Sequence, residues 1–264
     1  MPDEESVPTP VTVLLVCTGN ICRSALGERL GRAYLGEVLG PAGTEVDVVS
    51  AGTRAVVGSA MHPDSALVLS GLGGDAAGFV ARQLEPWMVE QADLVLALTR
   101  DHRRDVLGLV PRALARTFTL REAAGLLRVL GDRRPDADGD FAARARALVA
   151  ALAAARPSRS GGDGDDITDP IGRPLEAHEV VGQAVAEALL PVLTAVAALH
   201  PDAAVPVTPD RAAAHVDRGS SGAGARPDAR QAGSAPAAGR SAQPQAARRH
   251  LGVLGRRRRA GSGS

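Results

Sequence analysis

The chain has 264 residues, of which 45% are hydrophobic and only 2% aromatic, and its formal net charge is zero. This length allows one domain of ordinary size with additional segments, and the hydrophobic fraction excludes a chain that is disordered throughout. The balanced charge gives no general indication of a nucleic-acid-binding protein.

Strands are predicted where apolar residues form short runs, at 11–16, 46–49, 93–98 and 116–119. Helices are predicted from Ser24 to Gly40-Pro41, and at 65–69, 86–91, 101–109, 120–130, 141–155 and 175–199. Residues 50–53 are predicted as a turn, 131–139 as a polar linker and 156–166 as a loop. This alternation predicts an α/β fold with a doubly wound parallel sheet, which binds ligands at the carboxyl ends of its strands.

The charge is unevenly distributed along the chain. Residues 201–264 contain eleven Arg and four Asp, a net charge of +7, which leaves −7 on the preceding residues. We expect residues 200–264, rich in Ala, Gly, Pro and Arg, to be a disordered tail, and residues 1–9 to be a flexible N-terminus. The run Arg256–Arg259 is interpreted as a solvated basic end rather than a nucleic-acid site.

The chain is expected to be cytoplasmic. Its two cysteines, Cys17 and Cys22, are too few for a disulfide framework. Its acidic start lacks the pattern of a signal peptide, and no uninterrupted apolar run approaches the length of a membrane span. We therefore expect no membrane partner.

The segment that connects the first strand to the first helix carries the chemistry. Backbone N–H groups converge where a strand turns into a helix, and the helix dipole favours an anion there. Such a site stabilises the thiolate of Cys17, to which Ser24 can donate its hydroxyl, and Arg23 can bind two phosphate oxygens. Gly19 lets the backbone approach the anion, and Asn20 tolerates left-handed geometry. The spacing predicts a nucleophile that attacks phosphorus.

Cys17-Thr18-Gly19-Asn20-Ile21-Cys22-Arg23-Ser24 resembles the signature loop of the low-molecular-weight protein tyrosine phosphatases. Further matches are Ser50-Ala51-Gly52-Thr53, Ala81-Arg82-Gln83-Leu84 followed by Ala92-Asp93-Leu94-Val95-Leu96, and Asp169-Pro170. The resemblance covers a domain at 10–199, more loosely across a helical insertion at about 131–165. It implies a three-layer α/β sandwich with a four-stranded parallel sheet flanked by helices, in agreement with the predicted elements.

The resemblance also implies a cysteine-dependent phosphatase that hydrolyses phosphomonoesters, above all protein phosphotyrosine, through a cysteinyl-phosphate. Cys17 attacks phosphorus, and Asp169 protonates the leaving oxygen and then takes a proton from water. The phosphate is bound by Thr18, Gly19, Asn20, Ile21, Cys22, Arg23 and Ser24. The expected partner is a phosphorylated protein or a small aryl phosphate. No cofactor and no metal are expected, because no His/Cys/carboxylate spacing suggests a metal site.

The general acid has to be chosen among several aspartates of one predicted loop. Pro170, the apolar neighbours Ile167 and Ile171, and the helix that follows favour Asp169. Asp165 or Asp166 is the alternative.

Two roles are open for Cys22. It either fills space as a small hydrophobe or, as the resemblance implies, forms a reversible disulfide with Cys17 that protects the nucleophile from over-oxidation. His62 and His178 are interpreted as structural, because the mechanism already has its acid and base.

The sequence departs from the family where the substrate's leaving group would lie. Many relatives carry aromatic residues after the Asp-Pro pair, whereas Ile171 and Gly172 follow here. Ile21, in place of Thr, resembles tyrosine-directed members more than those directed at arginine phosphate. The loop indicates phosphate and cysteine chemistry and does not by itself specify tyrosine.

Two other functions fit the loop. Arsenate fits the same loop, and a reductase that uses an external small thiol is one alternative; the thioredoxin-coupled kind needs further cysteines that do not follow Cys22. A non-catalytic anion-binding module is the other, and an Asp169 far from Cys17 would support it.

Overall fold

The computed structural model describes residues 10–131, 138–201 and 203. These residues form a sheet of four parallel strands in the order β2-β1-β3-β4. The strands are β1 (Val11–Cys17), β2 (Val46–Gly52), β3 (Leu94–Ala97) and β4 (Thr117–Thr119). The predicted parallel sheet is confirmed. The predicted flexible N-terminus, most of the predicted disordered tail and most of the 131–139 linker lie outside the described residues.

Helices cover both faces of the sheet. They are α1 (Arg23–Leu39), α2 (Pro63–Gly71), α3 (Pro86–Gln91), α4 (Arg100–Leu109), α5 (Leu120–Leu130), α6 (Phe141–Ala155) and α7 (Leu175–Ala197). Val13, Leu15 and Cys17 face a core shared with α1, α5 and α7, whereas Leu14 and Val16 face one shared with α3 and α4. This alternation along β1 follows from the two-residue period of a strand, and it makes the three-layer sandwich that the sequence predicts.

The second strand is longer than the sequence predicts, because residues 50–52 were expected in a turn. In the structure they continue the strand, so that β2 pairs with β1 along its whole length and Gly52 lies opposite Cys17. Tertiary pairing here overrides the turn preference of Ser and Gly. As a result, the ends of β1 and β2 coincide at the start of the phosphate loop, residues 17–24.

The last helix, α7, is long and apolar enough, by length and composition, to cross a membrane. Glu179, Gln183 and Glu187 interrupt it, so it contains no uninterrupted apolar run of that length. Moreover, 72% of its apolar window is buried inside the protein, where the helix packs on α1, α2 and α5. In the part of the chain that the structure describes, α7 is thus a core helix of the sandwich.

Candidate active site

Cys17 is the last residue of β1, and Arg23 is the first residue of α1. The Cys17 side chain is buried, and its Sγ lies 2.9 Å from Ser24 Oγ. The Ser24 hydroxyl is thus placed to bond the sulfur, as the sequence predicts.

The carbonyl groups of the phosphate loop bind the segment that follows β2. The carbonyl oxygens of Cys17, Thr18, Gly19 and Ile21 accept hydrogen bonds from the amides of Thr53, Arg54, Val56 and His62, at 2.8–3.0 Å. In a trans peptide, the N–H of the next residue points opposite to the carbonyl, and the described chain has no cis peptide. The N–H groups of the loop therefore point away from this segment and can converge on an anion.

Asn20 holds the phosphate loop in place through the hydrogen bonds of its side chain. Its φ of 55° is left-handed, as the sequence predicts, and the residue is fully buried. Its Nδ2 donates to Ser24 Oγ at 2.9 Å and to Ser50 Oγ at 2.8 Å, and its Oδ1 accepts from the Arg82 amide at 2.9 Å. Ser50 in turn donates to Glu28 at 2.6 Å. This network holds a strained residue in one conformation.

Two glycines near the phosphate loop, Gly19 and Gly52, differ in the space that a side chain would find. A Cβ on Gly19 would make only ordinary contacts with Ile21 and Val56, so the protein itself does not require glycine there. Its role in making room for an anion stays a prediction. A Cβ on Gly52 would lie 2.4 Å from the Thr18 carbonyl oxygen, so that glycine lets the loop pack on β2. Sequence reasoning did not identify this contact.

Arg23 joins the phosphate loop to the predicted acid loop. The side chain is 4% exposed; Nη1 donates to the Ile167 carbonyl at 3.0 Å and Nη2 to Asp169 Oδ2 at 2.5 Å. Its Nε is buried and has no hydrogen-bond partner among the described residues. A buried donor without a partner is costly, so an incoming oxyanion would gain by accepting from it.

The other two acid candidates are held in ion pairs. Burial disfavours the Asp165 carboxylate, but hydrogen bonds from Arg159 outweigh it and lower the pKa of Asp165. The pKa of Asp166 is lowered in the same way, since Arg100 bonds outweigh the effect of burial. Asp165 and Asp166 are bonded to arginines outside the phosphate loop, whereas Asp169 lies against Arg23 of that loop, so its position favours Asp169 as the acid.

His102 contacts the phosphate loop, and sequence reasoning missed it. Its Nε2 lies 2.8 Å from Thr18 Oγ1, and its Nδ1 lies 2.9 Å from Thr99 Oγ1. Burial, aided by the positive charge of Arg23, lowers the pKa of His102 to about 4. The ring is therefore neutral at pH 7. Thr99 is the sequence feature that could have identified this position, because Thr is a preferred residue at the start of a helix. Its side chain caps α4 by accepting a hydrogen bond from the His102 amide.

Cys22, also in the phosphate loop, lies close to two histidines, His62 and His178. Burial raises the pKa of Cys22 to about 11, so its thiol stays protonated at neutral pH. The rings of His62 and His178 are stacked with centroids 4.7 Å apart. Both cysteines are free, and the protective disulfide between them stays a prediction.

Three comparisons with known proteins agree with this geometry. A model of the family described as low molecular weight phosphotyrosine protein phosphatase matches residues 12–126. The Escherichia coli K12 low molecular weight protein-tyrosine-phosphatase Etp is 35% identical over 107 residues, 40% of this chain and 67% of that protein. A protein-arginine-phosphatase of Geobacillus stearothermophilus is 30% identical over 169 residues, 64% of this chain and 84% of that protein.

The Erwinia amylovora tyrosine phosphatase AmsI has the same fold, with a TM-score of 0.50 and 23% identity over 73% of this chain and 95% of AmsI. These matches do not favour the arsenate-reductase alternative. The sequence matches establish that the chain belongs to the low molecular weight protein-tyrosine-phosphatase family and is a cysteine-dependent phosphatase.

Proposed function

We propose that the chain removes phosphate from phosphotyrosine in proteins, with Cys17 as nucleophile, Arg23 as phosphate ligand and Asp169 as general acid. The observation that carries this proposal is the 2.5 Å contact between Arg23 and Asp169, which are 146 positions apart in the sequence. A non-catalytic anion site has no need for a carboxylate beside its arginine, since that carboxylate repels the anion.

The reaction proceeds in two steps. The Cys17 thiolate attacks phosphorus, the bond from phosphorus to the ester oxygen breaks, and Asp169 gives its proton to that oxygen. Water then attacks the cysteinyl-phosphate, its proton passes to Asp169, and Cys17 leaves as thiolate. Throughout, Arg23 and the N–H groups of the phosphate loop bind the oxygens on which negative charge is carried. No step needs a cofactor.

The surroundings of the loop support an aryl substrate. Val56, whose amide binds the Gly19 carbonyl, is 48% exposed, and Ile171, whose amide donates to Asp169 Oδ1, is 50% exposed. Exposed aliphatic side chains next to a polar site can pack on the faces of a phenyl ring. They are the residues here that could take the place of the aromatics found in many relatives.

Arginine phosphate is the second candidate substrate. The observation that favours it is the match to the Geobacillus protein-arginine-phosphatase, which spans 169 residues. Comparing kcat/KM for one peptide sequence carrying either phosphotyrosine or phosphoarginine decides between them. We expect at least a tenfold preference for phosphotyrosine; the reverse preference would reassign the substrate.

The roles of the site residues are tested by hydrolysis of p-nitrophenyl phosphate. Cys17→Ser should show no turnover, and Asp169→Ala should lose roughly 10²–10⁴-fold in kcat, the range of general acid–base catalysis. The matched control is Asp163→Ala, which removes a highly exposed aspartate of the same loop and should keep wild-type kcat. Equal losses in Asp169→Ala and Asp163→Ala would refute Asp169 as the acid.

We also infer a cytoplasmic location, since a catalytic thiol stays reduced most readily in a reducing compartment. The proposed domain is 10–199, with the segment about 131–165 as an insertion that contains α6. Burial of Leu148 and Leu152 on α6 supports treating this helix as part of the domain.

A further inference from the structure

Cys22, His62 and His178 come together from three separate parts of the chain. Cys22 belongs to the phosphate loop, His62 precedes α2, and His178 lies in the first turns of α7. One potential ligand atom from each residue lies within 4.8 Å of the other two. Their spacing in the sequence gave no indication of a metal site, and it is the packing of α7 and α2 beside the loop that assembles the cluster.

His178 carries the clearest sign of an unused ligand. The residue is 1% exposed, and its buried Nε2 makes no hydrogen bond of normal geometry among the described residues, although the ring interacts with the backbone of Pro170. Its other nitrogen, Nδ1, lies 2.8 Å from Ser65 Oγ. An unpartnered buried ring nitrogen costs free energy, and a hydrogen bond at the opposite nitrogen is what orients a metal-binding histidine.

A carboxylate faces the same two rings. Asp64 Oδ2 lies 3.9 Å from His62 Nδ1 and 3.9 Å from His178 Nε2. Both distances exceed a hydrogen bond, so the carboxylate leaves the His178 nitrogen unsatisfied. It is close enough to serve as an additional oxygen ligand or to hold a water molecule.

This donor set matches one class of metal ion. Two imidazoles and a thiolate suit Zn²⁺, whereas Mg²⁺ and Ca²⁺ prefer oxygen. Tetrahedral Zn²⁺ with bonds of about 2.0–2.3 Å places its ligand atoms roughly 3.5 Å apart, so the cluster has to contract by about 1 Å. The His62 side chain is 26% exposed, and to make that adjustment it has to leave its stacking on His178 and the hydrogen bond that its Nδ1 accepts from the Asp64 amide.

We propose that Cys22, His62 and His178 bind one Zn²⁺ ion, with Asp64 or water in the fourth position. Binding forms a bond between zinc and Cys22 Sγ and breaks the S–H bond, and the proton is released to solvent without any change in oxidation state. None of the proposed catalytic residues is a ligand. The bound ion would tie the phosphate loop to α2 and α7.

The test uses the full, freshly reduced chain and measures Zn²⁺ affinity by competition with a chromophoric chelator. Cys22→Ala and His62→Ala should each weaken Zn²⁺ binding by at least about tenfold, since loss of a mere outer-shell partner of a metal already costs that much. His200→Ala, which removes a buried histidine outside the cluster, and Cys17→Ser should bind Zn²⁺ as the wild type does. With Co²⁺ as probe, a thiolate-to-metal absorption band should be present in Cys17→Ser and absent in Cys22→Ala.

Circular dichroism checks that each variant is folded. If His178→Ala fails to fold, His62→Ala decides, because the partly exposed His62 ring contributes less to the core. Wild-type Zn²⁺ affinity in His62→Ala would overturn the proposal. So would loss of binding in Cys17→Ser, which would assign the ion to the two thiols of the loop, or a wild-type chain that binds no Zn²⁺.

Discussion

Replacing His102 by glutamine should make the stability of the protein less sensitive to acid. Burial lowers the pKa of His102 from 6.5 to about 4 in the folded protein. Between these two values the unfolded chain binds one more proton than the folded chain, so the free energy of unfolding falls as the pH falls. Each pH unit costs about 1.4 kcal/mol, and from pH 7 to pH 5 the contribution of this one residue sums to about 2 kcal/mol. Glutamine keeps hydrogen-bonding groups toward Thr18 and does not titrate.

The assay is urea unfolding of wild type and His102→Gln at pH 7 and at pH 5. Other titrating groups contribute to both proteins and largely cancel in the difference between them. We expect the wild type to lose about 2 kcal/mol more than the variant over this interval. Equal losses in the two proteins, within about 0.5 kcal/mol, would refute the conclusion that His102 is held neutral by the fold, since that is near the error of such extrapolations.

Three further substitutions test contacts in the phosphate loop, at the end of β2 and within residues 156–166. Asn20→Ala should destabilise the protein by about 2–4 kcal/mol, because it leaves buried polar groups without a hydrogen-bond partner and places alanine in a left-handed conformation. Urea unfolding measures this loss, and a value below about 1 kcal/mol would contradict the prediction. Gly52→Ala should lower kcat by at least about tenfold while the chain stays folded, because its Cβ displaces the Thr18 carbonyl and hence the loop; wild-type kinetics would exclude this contact. Arg159→Ala should cost about 3 kcal/mol in thermal or urea unfolding, because it leaves the Asp165 carboxylate buried and unpaired, whereas Arg159→Ala with Asp165→Asn should recover part of that loss.

Much of the fold was predictable because its signals are local. Short apolar runs mark the strands, and the Cys17-to-Arg23 spacing marks the turn into α1. Local signals also identified Asn20 as the residue that adopts left-handed geometry. These features depend on residues that are neighbours in the sequence, where periodicity and turn chemistry apply.

What could not be predicted depends on contacts between distant segments. The extension of β2 to Gly52 follows from its pairing with β1, and the contact of His102 with Thr18 follows from the placement of α4. The cluster of His62 and His178 with the loop arises only when α7 packs beside α2. Single-sequence patterns carry no information about which side chains of separate elements will meet.

The double contact of Arg23 makes the two halves of the site interdependent. Its Nη1 donates to the Ile167 carbonyl and its Nη2 to Asp169. An oxyanion bound by the same guanidinium competes with these two hydrogen bonds. Losses from substitutions at Arg23 and at Asp169 will therefore not add, since each removes part of what positions the other. In the proposed mechanism, one side chain, Arg23, therefore governs both the affinity for the phosphoryl group and the placement of the proton donor.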